Sequence, residues 1–254
     1  RTSGSPTARP RPAHAVPRHP VIRVSAPAVL IACGLIVLLT GPNLEAAAVA
    51  TYRSKNFIVH SDDDPERTRK LLERLETLLG IVSGYWRRPN RHVIECCVVK
   101  DLGNWPAGRL PPLAIQKIRT GSGVTISFKK MQGTAFFTKS VVYAVAGTGA
   151  TQHEAVHAYC HQMFGSSGPV WYSEGMAEMG NYWREKDSSV NCGPWIVEYL
   201  RNSEPKSLHD IVNVKQFTGD SWQNYAWRWD LCHLLANNPN YAPRFRPLGL
   251  SLLS

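Results

Sequence analysis

Residues 153 to 157 contain two histidines and a glutamate at a spacing suited to metal chemistry. The stretch reads His153-Glu154-Ala-Val-His157, an H-E-x-x-H pattern. On a helix, residues four apart project from the same face, so His153 and His157 can bind one zinc ion. Glu154 then lies beside the ion, where its carboxylate can take a proton from bound water. The pattern predicts a hydrolytic zinc site that needs one further ligand.

Glu154 also fits a purely structural role. Thr151 and Glu154 match the S/T-x-x-E capping box, in which the glutamate bonds a backbone amide at the start of a helix. On that interpretation the histidines are incidental. The downstream segment favours the metal site because it supplies two more acidic side chains, Glu174 and Glu178, one helical turn apart.

The third ligand is not expected to be His161. This residue lies two helical turns beyond His153, about 12 Å along a helix axis, and cannot share a tetrahedral metal with both histidines. The longer H-E-x-x-H-x-x-G-x-x-H pattern is also excluded, because the chain has Cys160 and Met163 at its glycine and third histidine. The two downstream glutamates remain as candidates.

The two segments together resemble the gluzincin metallopeptidases, and among them the bacterial peptidase MA-like group. The motif of that group, H-E-x-x-H followed by W-x-x-E-G-x-A-E, matches Trp171-Tyr-Ser-Glu-Gly-Met-Ala-Glu178 in its second part. The resemblance implies that Glu174 is the third zinc ligand and that Glu178 hydrogen-bonds a ligating histidine. The segment between His157 and Glu174 is shorter than in the aminopeptidase and thermolysin branches, so Glu178 stays open as the alternative ligand.

Tyr225 is a further point of resemblance. Aminopeptidase-type gluzincins carry a tyrosine on a later helix, and residues 221–233 resemble that helix with Tyr225 at the equivalent position. The family implies that the phenol stabilises the oxyanion, and His233 is a weaker candidate for the same role. Trp222, Tyr225 and Trp229 also recur at helical spacing, so an apolar packing stripe is the alternative interpretation.

The first 50 residues predict export. Residues 1–23 carry five arginines and no acidic residue, and an apolar core over 28–39 precedes the small residues Ala46-Ala-Ala-Val-Ala50. These features are typical of a secretory signal peptide. The uncharged stretch 24–44 is also long enough for an uncleaved membrane anchor. Either interpretation predicts an exported domain, in the periplasm, at the cell surface or outside the cell.

The charge pattern argues against nucleic-acid binding. The chain has a net charge of +10, but without its first 50 residues it keeps 24 basic and 18 acidic residues, a net charge of +6. The basic residues are dispersed and form no basic run or aromatic-interleaved stripe. We therefore expect a peptide or protein substrate, no nucleic acid, and membrane contact only through the N-terminal segment.

Five cysteines follow residue 50, and their odd number leaves at least one free thiol in an exported protein. Cys96 and Cys97 lie in the strand-like stretch 92–100, so their side chains are expected on opposite faces. The sequence allows one disulfide among Cys160, Cys192 and this pair. No cysteine has the spacing of a metal site.

The order of the predicted elements indicates an α+β fold. Residues 52–60 predict a first strand, and Asp64-Pro65 opens a helix whose leucines recur at helical spacing. Further strands are predicted at 92–100 and 121–128, and from about Thr148 the chain is expected to be mainly helical. Strands first and helices later are typical of the α+β class.

The resemblance implies the same class, as a gluzincin-like domain over residues 51–254 with a strand-containing N-terminal half and a helical C-terminal half. In that family a strand before the active-site helix pairs with the extended substrate, and Val124 to Phe128 is the candidate. The chain lacks an initial Met and ends soon after a predicted helix, which is compatible with a domain incomplete at its C-terminus.

These features predict a secreted zinc metallopeptidase. His153, His157 and Glu174 are the expected ligands, with Glu154 as the general base and Tyr225 beside the oxyanion. One alternative is a gluzincin-like module that keeps zinc but does not turn over substrate. Another is a membrane-tethered surface protein in which the histidines are incidental.

Overall fold

The computed structural model describes residues 48–133, 135–184, 192–213 and 222–254. The predicted signal or anchor, residues 1–50, lies outside the described residues apart from its last three positions. None of the described helices combines the length and apolar character that crossing a bilayer requires.

In chain order the elements are β1 Ala50–Arg53, β2 Phe57–Ser61, α1 Pro65–Trp86, β3 Ile94–Val99, a 3-10 turn Leu102–Asn104, α2 Pro112–Arg119, β4 Gly123–Gln132, β5 Ala135–Val145, α3 Ala150–Phe164, α4 Val170–Tyr182, α5 Pro194–Asn202, α6 Leu208–Val212, α7 Trp222–Asn237 and α8 Ala242–Leu253.

The five strands form one mixed sheet in the order β1-β2-β3-β5-β4. Strands β2, β3 and β5 are parallel, whereas β1 and β4 pair antiparallel with β2 and β5. The parallel pairs require crossover connections, and α1 supplies the one between β2 and β3. Strand β4 therefore lies at an edge of the sheet, where it also contacts α3.

Helix α1 begins at Pro65, as predicted. The Asp64 side chain accepts hydrogen bonds from the backbone amides of Glu66 and Arg67, both at 3.0 Å, and caps the helix. Proline suits the first turn because no amide donor is needed there. The leucines at helical spacing pack into the main core between helix and sheet, namely Leu72, Leu75, Leu78 and Leu79.

Strand β3 separates two layers of the core. Cys96 belongs to the large cluster that includes residues of α1, α3 and α4, and Cys97 belongs to a smaller cluster beneath α2. The predicted alternation of the pair is therefore confirmed. The disulfide allowed by the sequence does not form: all five described cysteines are buried free thiols, spread over three separate clusters of the core.

The predicted strand over residues 52–60 is in fact an antiparallel hairpin of β1 and β2. Glu76 of α1 binds the intervening turn: its carboxylate accepts from Ser54 Oγ at 2.6 Å and from the Asn56 backbone and side-chain amides at 2.7 Å each. The prediction of one strand was wrong because this contact comes from a helix twenty residues away and leaves no mark on the local pattern.

The long β4–β5 hairpin also goes beyond the sequence-based prediction. Strand β4 continues to Gln132 instead of ending at Phe128, and it pairs along its length with β5. Strand β5, which was not predicted, lies inside the sheet between β3 and β4. Its run Val141–Val145 is continuously apolar, which suits a strand covered on both faces but has no period that distinguishes a strand from a helix.

From Ala150 onward the described chain is helical, as predicted, and α4 contacts both α3 and α7. Gly175 of α4 permits the close approach of α7, because a Cβ there would lie 2.5 Å from both the Arg228 carbonyl oxygen and the Cys232 Sγ. One five-stranded sheet and eight described α-helices make a mixed α/β fold, compatible with the predicted α+β class.

Candidate metal centre and its cleft

Helix α3 presents the two predicted histidines on one face. The Nε2 atoms of His153 and His157 lie 3.0 Å apart, as the four-residue spacing requires. The helix follows β5 after four intervening residues, and its cap residue Gly149 lies close to the end of α4. A Cβ at Gly149 would come within 2.6 Å of the Asn181 carbonyl oxygen, so glycine permits the contact that brings α3 and α4 together.

Helix α4 brings Glu174 to the same two nitrogens. Its Oε2 lies 3.2 Å from His153 Nε2 and 3.4 Å from His157 Nε2. The three candidate ligand atoms all lie within 4.8 Å of one another, and the residues are buried or half-buried. Within the described part of the chain, this is the one group of histidine, cysteine and acidic side chains that could hold a metal ion.

The other ring nitrogen of each histidine, Nδ1, has a hydrogen-bond partner on α4. Glu178 Oε1 lies 2.9 Å from His153 Nδ1, and Ser173 Oγ lies 3.1 Å from His157 Nδ1. Asn181 Nδ2 in turn donates to Glu178 Oε2 at 2.9 Å. Partners at Nδ1 orient the rings, so both Nε2 atoms are turned towards Glu174. Glu178, the alternative ligand, thus contacts the opposite side of the His153 ring from the cluster.

The histidines and glutamates of the cluster shift one another's pKa values. Burial lowers the pKa of His153, but hydrogen bonds to Glu174 and Glu178 outweigh it and hold the pKa well above 6.5. Burial raises the pKa of Glu174, yet the adjacent imidazoles hold it far below its usual range. The pKa of Glu178 is likewise lowered by its bond to His153, against the effect of burial. Glu174 and Glu178 therefore both keep their negative charge against the imidazole of His153, which lies between them.

Glu154 does not cap helix α3. The helix begins at Ala150 with Gly149 as its cap residue and no side-chain cap, while Thr151 and Glu154 are buried within it. The capping-box interpretation is therefore wrong. Instead, Thr125 Oγ1 of the edge strand β4 lies 2.8 Å from both Glu154 Oε2 and the Glu154 carbonyl oxygen.

Gly123 at the start of β4 leaves the space that Glu154 occupies. A Cβ at this position would lie 2.8 Å from Glu154 Cγ and 2.9 Å from the Tyr143 carbonyl oxygen. The Glu154 carboxylate thus packs against β4 beside the metal cluster. Neither Thr125 nor Gly123 is recognisable as a site residue from the sequence. Both contact Glu154 from the sheet, and about thirty residues of sequence separate them from it.

His153 and Glu154 border an open cleft of about 570 Å³. One side of the cleft is formed by residues 117–123, which lead from α2 into β4. The other side is formed by α5 and α7 and includes Trp195, Ile196, Trp222 and Tyr225. The cleft therefore runs between the edge strand and the later helices, and His153 is the residue of the metal cluster that lines it.

Tyr225 lies at the cleft, with its ring centroid 6.1 Å from that of His153. Arg228 Cζ lies 5.7 Å from the Tyr225 ring centroid, and Trp229, one turn along α7, is buried in the core. The two other candidate histidines lie elsewhere. His161 is in the last turn of α3, outside the metal cluster, and His233 contacts Trp229 at a centroid distance of 5.2 Å.

No protein-family model matches the chain, and no curated protein matches it either. The arrangement of this site is therefore the basis for a function. Its first element is the convergence of two imidazoles and one carboxylate, and its second is a separate glutamate within the adjoining cleft.

Proposed function

We propose that this protein is a zinc-dependent peptidase with a gluzincin-like fold. The observation that carries the proposal is the convergence of the His153, His157 and Glu174 ligand atoms, with Glu154 next to His153 in the lining of an open cleft. Three protein ligands and one open position are typical of catalytic zinc, whereas structural zinc is usually enclosed by four.

The donor set fits zinc by its chemistry. Two imidazole nitrogens and one carboxylate oxygen suit a borderline-soft divalent ion, while the hard ions Mg²⁺ and Ca²⁺ favour oxygen ligands alone. Glu174 contributes the carboxylate of this set, and its negative charge suits a divalent cation. When bound, zinc supplies Lewis acidity that acidifies water and polarises a carbonyl group.

Glu154 is the proposed general base. Its carboxylate lies in the cleft next to His153 and takes no part in the Glu174 cluster, so it is available to accept a proton from water and pass it to the leaving amine. The hydrogen bond from Thr125 to Oε2 holds the side chain in one orientation. The second carboxylate oxygen remains for the water.

Strand β4 is the proposed binding edge for the substrate backbone. It is the edge strand of the sheet and contacts α3, and its first residue, Gly123, lines the cleft. An extended peptide can pair with such an edge through main-chain hydrogen bonds, which accounts for a peptide substrate in preference to a small ester. Val124 to Phe128, the predicted segment, belongs to this strand.

Tyr225 is proposed to donate its phenol hydrogen to the oxyanion formed from the scissile carbonyl. Its position on the cleft wall near His153 supports the role, although the rest of its helix packs in the core as an apolar stripe would. We further propose that the protein works after export, on the basis of the basic and apolar pattern of residues 1–50.

The decisive experiment compares the wild type with Glu154→Gln and His153→Ala. Purified proteins are incubated with a diverse peptide library, with and without a chelator, and bound zinc is measured by mass spectrometry. We expect chelator-sensitive cleavage by the wild type. Glu154→Gln should keep zinc but lose about 10²–10⁴-fold in kcat, whereas His153→Ala should lose both.

A third variant, Tyr225→Phe, keeps the ring and removes the hydroxyl. It should retain zinc and lower kcat by about 10²-fold. Unchanged cleavage by Glu154→Gln would contradict the mechanism. Stoichiometric zinc without any cleavage by the wild type would instead support the alternative of a zinc-binding module that does not turn over substrate.

A further inference from the structure

Two tryptophans in the cleft have no part in the chemistry proposed above. Trp195 near the start of α5 and Trp222 at the start of α7 both line the cleft that contains Glu154. They are 55% and 43% exposed, high values for the largest aromatic side chain. Covering such rings with an apolar group is favourable, so the exposed rings identify a surface that a ligand can cover.

The two rings form a corner. Their centroids lie 4.7 Å apart and their planes meet at 72°, so the edge of one ring faces the plane of the other. We call Trp195 and Trp222 the aromatic corner. Two ring surfaces at nearly a right angle can contact one side chain from two directions.

The aromatic corner is held in position by its neighbours. Tyr199, one turn after Trp195, contacts Trp222 at a centroid distance of 4.7 Å. A Cβ at Gly193 would lie 2.5 Å from Trp195 Nε1, so the indole packs directly on this glycine. Ile196, which is 2% exposed, anchors the same helix in a buried cluster with Trp229. The corner is therefore formed before a ligand arrives, which lowers the entropy cost of binding.

We propose that the aromatic corner is the subsite that sets the specificity of the enzyme, and that it takes an aromatic or large aliphatic side chain of a peptide. This inference rests on the proposed peptidase function for the identity of the ligand as a peptide. The corner shares one cleft with the catalytic centre, so a peptide paired with β4 can place a side chain against it. Peptides with Phe, Tyr, Trp or Leu near the scissile bond are the expected substrates.

The test measures binding without turnover. Zinc-loaded Glu154→Gln protein is titrated by calorimetry with blocked hexapeptides of alanine and glycine that carry one variable residue, Phe, Leu, Ala or Lys. We expect the Phe and Leu peptides to bind at least about 10-fold more tightly than the Ala peptide. Adding Trp195→Ala or Trp222→Ala should reduce this preference to about twofold or less.

The matched control is Tyr241→Ala, an aromatic residue of similar exposure, 43%, that does not line the cleft. It should leave the Phe preference unchanged. Circular dichroism and zinc content verify that each variant is folded, and Trp195→Leu and Trp222→Leu replace any alanine variant that is not. The leucine variants keep an apolar side chain but lose the corner, so they should weaken Phe binding more than Leu binding.

Three results would overturn the inference: equal binding of the Ala and Phe peptides, tighter binding of the Lys peptide, or a Phe preference that survives both tryptophan substitutions. Tighter binding of a cellooligosaccharide than of any peptide would overturn it as well. Because binding is measured on Glu154→Gln, these results are distinct from failure of the proposed function, which is the absence of cleavage by the wild type.

Discussion

Asp62 and Glu174 are both buried or half-buried carboxylates, but their surroundings differ in kind. Both oxygens of Asp62 are saturated by fixed donors. Oδ1 accepts from the Lys100 amide at 2.7 Å and the Trp105 indole at 3.1 Å, and Oδ2 accepts from the Asp101 amide at 2.8 Å and Asn104 Nδ2 at 3.0 Å. Such a carboxylate is a structural centre that ties the end of β3 to the following loop.

Glu174 faces two imidazole nitrogens at 3.2 and 3.4 Å instead. An imidazole nitrogen donates when it is protonated and accepts when it is not, so these contacts change with the protonation of the rings or with a metal bound at their nitrogens. The donors around Asp62 are amides and an indole, which keep their protons at any ordinary pH. Burial of a carboxylate therefore does not by itself identify a functional site. Imidazole partners do, because a bound cation can take the place of their contact with the carboxylate.

The first effect expected from this difference is loss of the metal in Glu174→Ala. In the wild type, free zinc at a hundredfold excess over its Kd should raise the free energy of unfolding by about 2.7 kcal/mol. The variant should show no such increase, because the cluster loses one of its three ligands. Thermal unfolding with and without zinc measures the change. A zinc-dependent increase in the variant as large as in the wild type would contradict the assignment of Glu174.

Asp62→Asn should lower the stability of the fold and leave metal binding intact. The amide group of asparagine turns one acceptor into a donor that faces two existing donors, at a cost on the order of 3 kcal/mol in the free energy of unfolding. Zinc affinity should be unchanged because Asp62 takes no part in the metal cluster. Denaturant unfolding and zinc titration of the same preparation distinguish these outcomes, and a variant as stable as the wild type would show that the four hydrogen bonds contribute little.

The Asp62 contribution also depends on pH. Burial raises the pKa of Asp62, but the hydrogen bonds to the Lys100 and Asp101 amides and to Asn104 and Trp105 outweigh it and hold the pKa below its ordinary value of 3.8. The unfolded chain therefore binds the proton first, and this stability is fully present above that ordinary value and lost as the pH falls towards the folded pKa. The free energy of unfolding should fall less steeply with acid in Asp62→Asn than in the wild type.

The smallest effect is expected from Glu178→Gln, which keeps an acceptor for His153 Nδ1 but removes the negative charge. Loss of such an orienting carboxylate should weaken zinc binding by about 10–100-fold. The control is Glu76→Gln, since Glu76 binds the β1–β2 turn, takes no part in the metal cluster and should change stability without changing zinc affinity. If both variants bound zinc as tightly as the wild type, the proposed role of Glu178 would be wrong.

Local patterns predicted a large part of this molecule. The cap and leucine spacing of α1 and the alternation of Cys96 and Cys97 are confirmed, because each depends only on near neighbours in the chain. The prediction of a single strand over residues 52–60 was wrong, and β5 and α2 were not predicted. Long-range contacts and a continuous apolar run determine the structure of those segments.

The sequence by itself determined that His153 and His157 face the same way and that Glu174 and Glu178 lie one turn apart, since helical geometry follows from residue spacing. Only the tertiary structure decided which carboxylate meets which nitrogen. That choice depends on how closely α4 approaches α3 and α7, and glycines at 149 and 175 permit the approach by leaving no Cβ in the contacts. The tertiary structure also places Thr125 beside Glu154 and brings Trp195 and Trp222 into one cleft. Side chains far apart in sequence meet only where packed helices and a sheet edge bring them together.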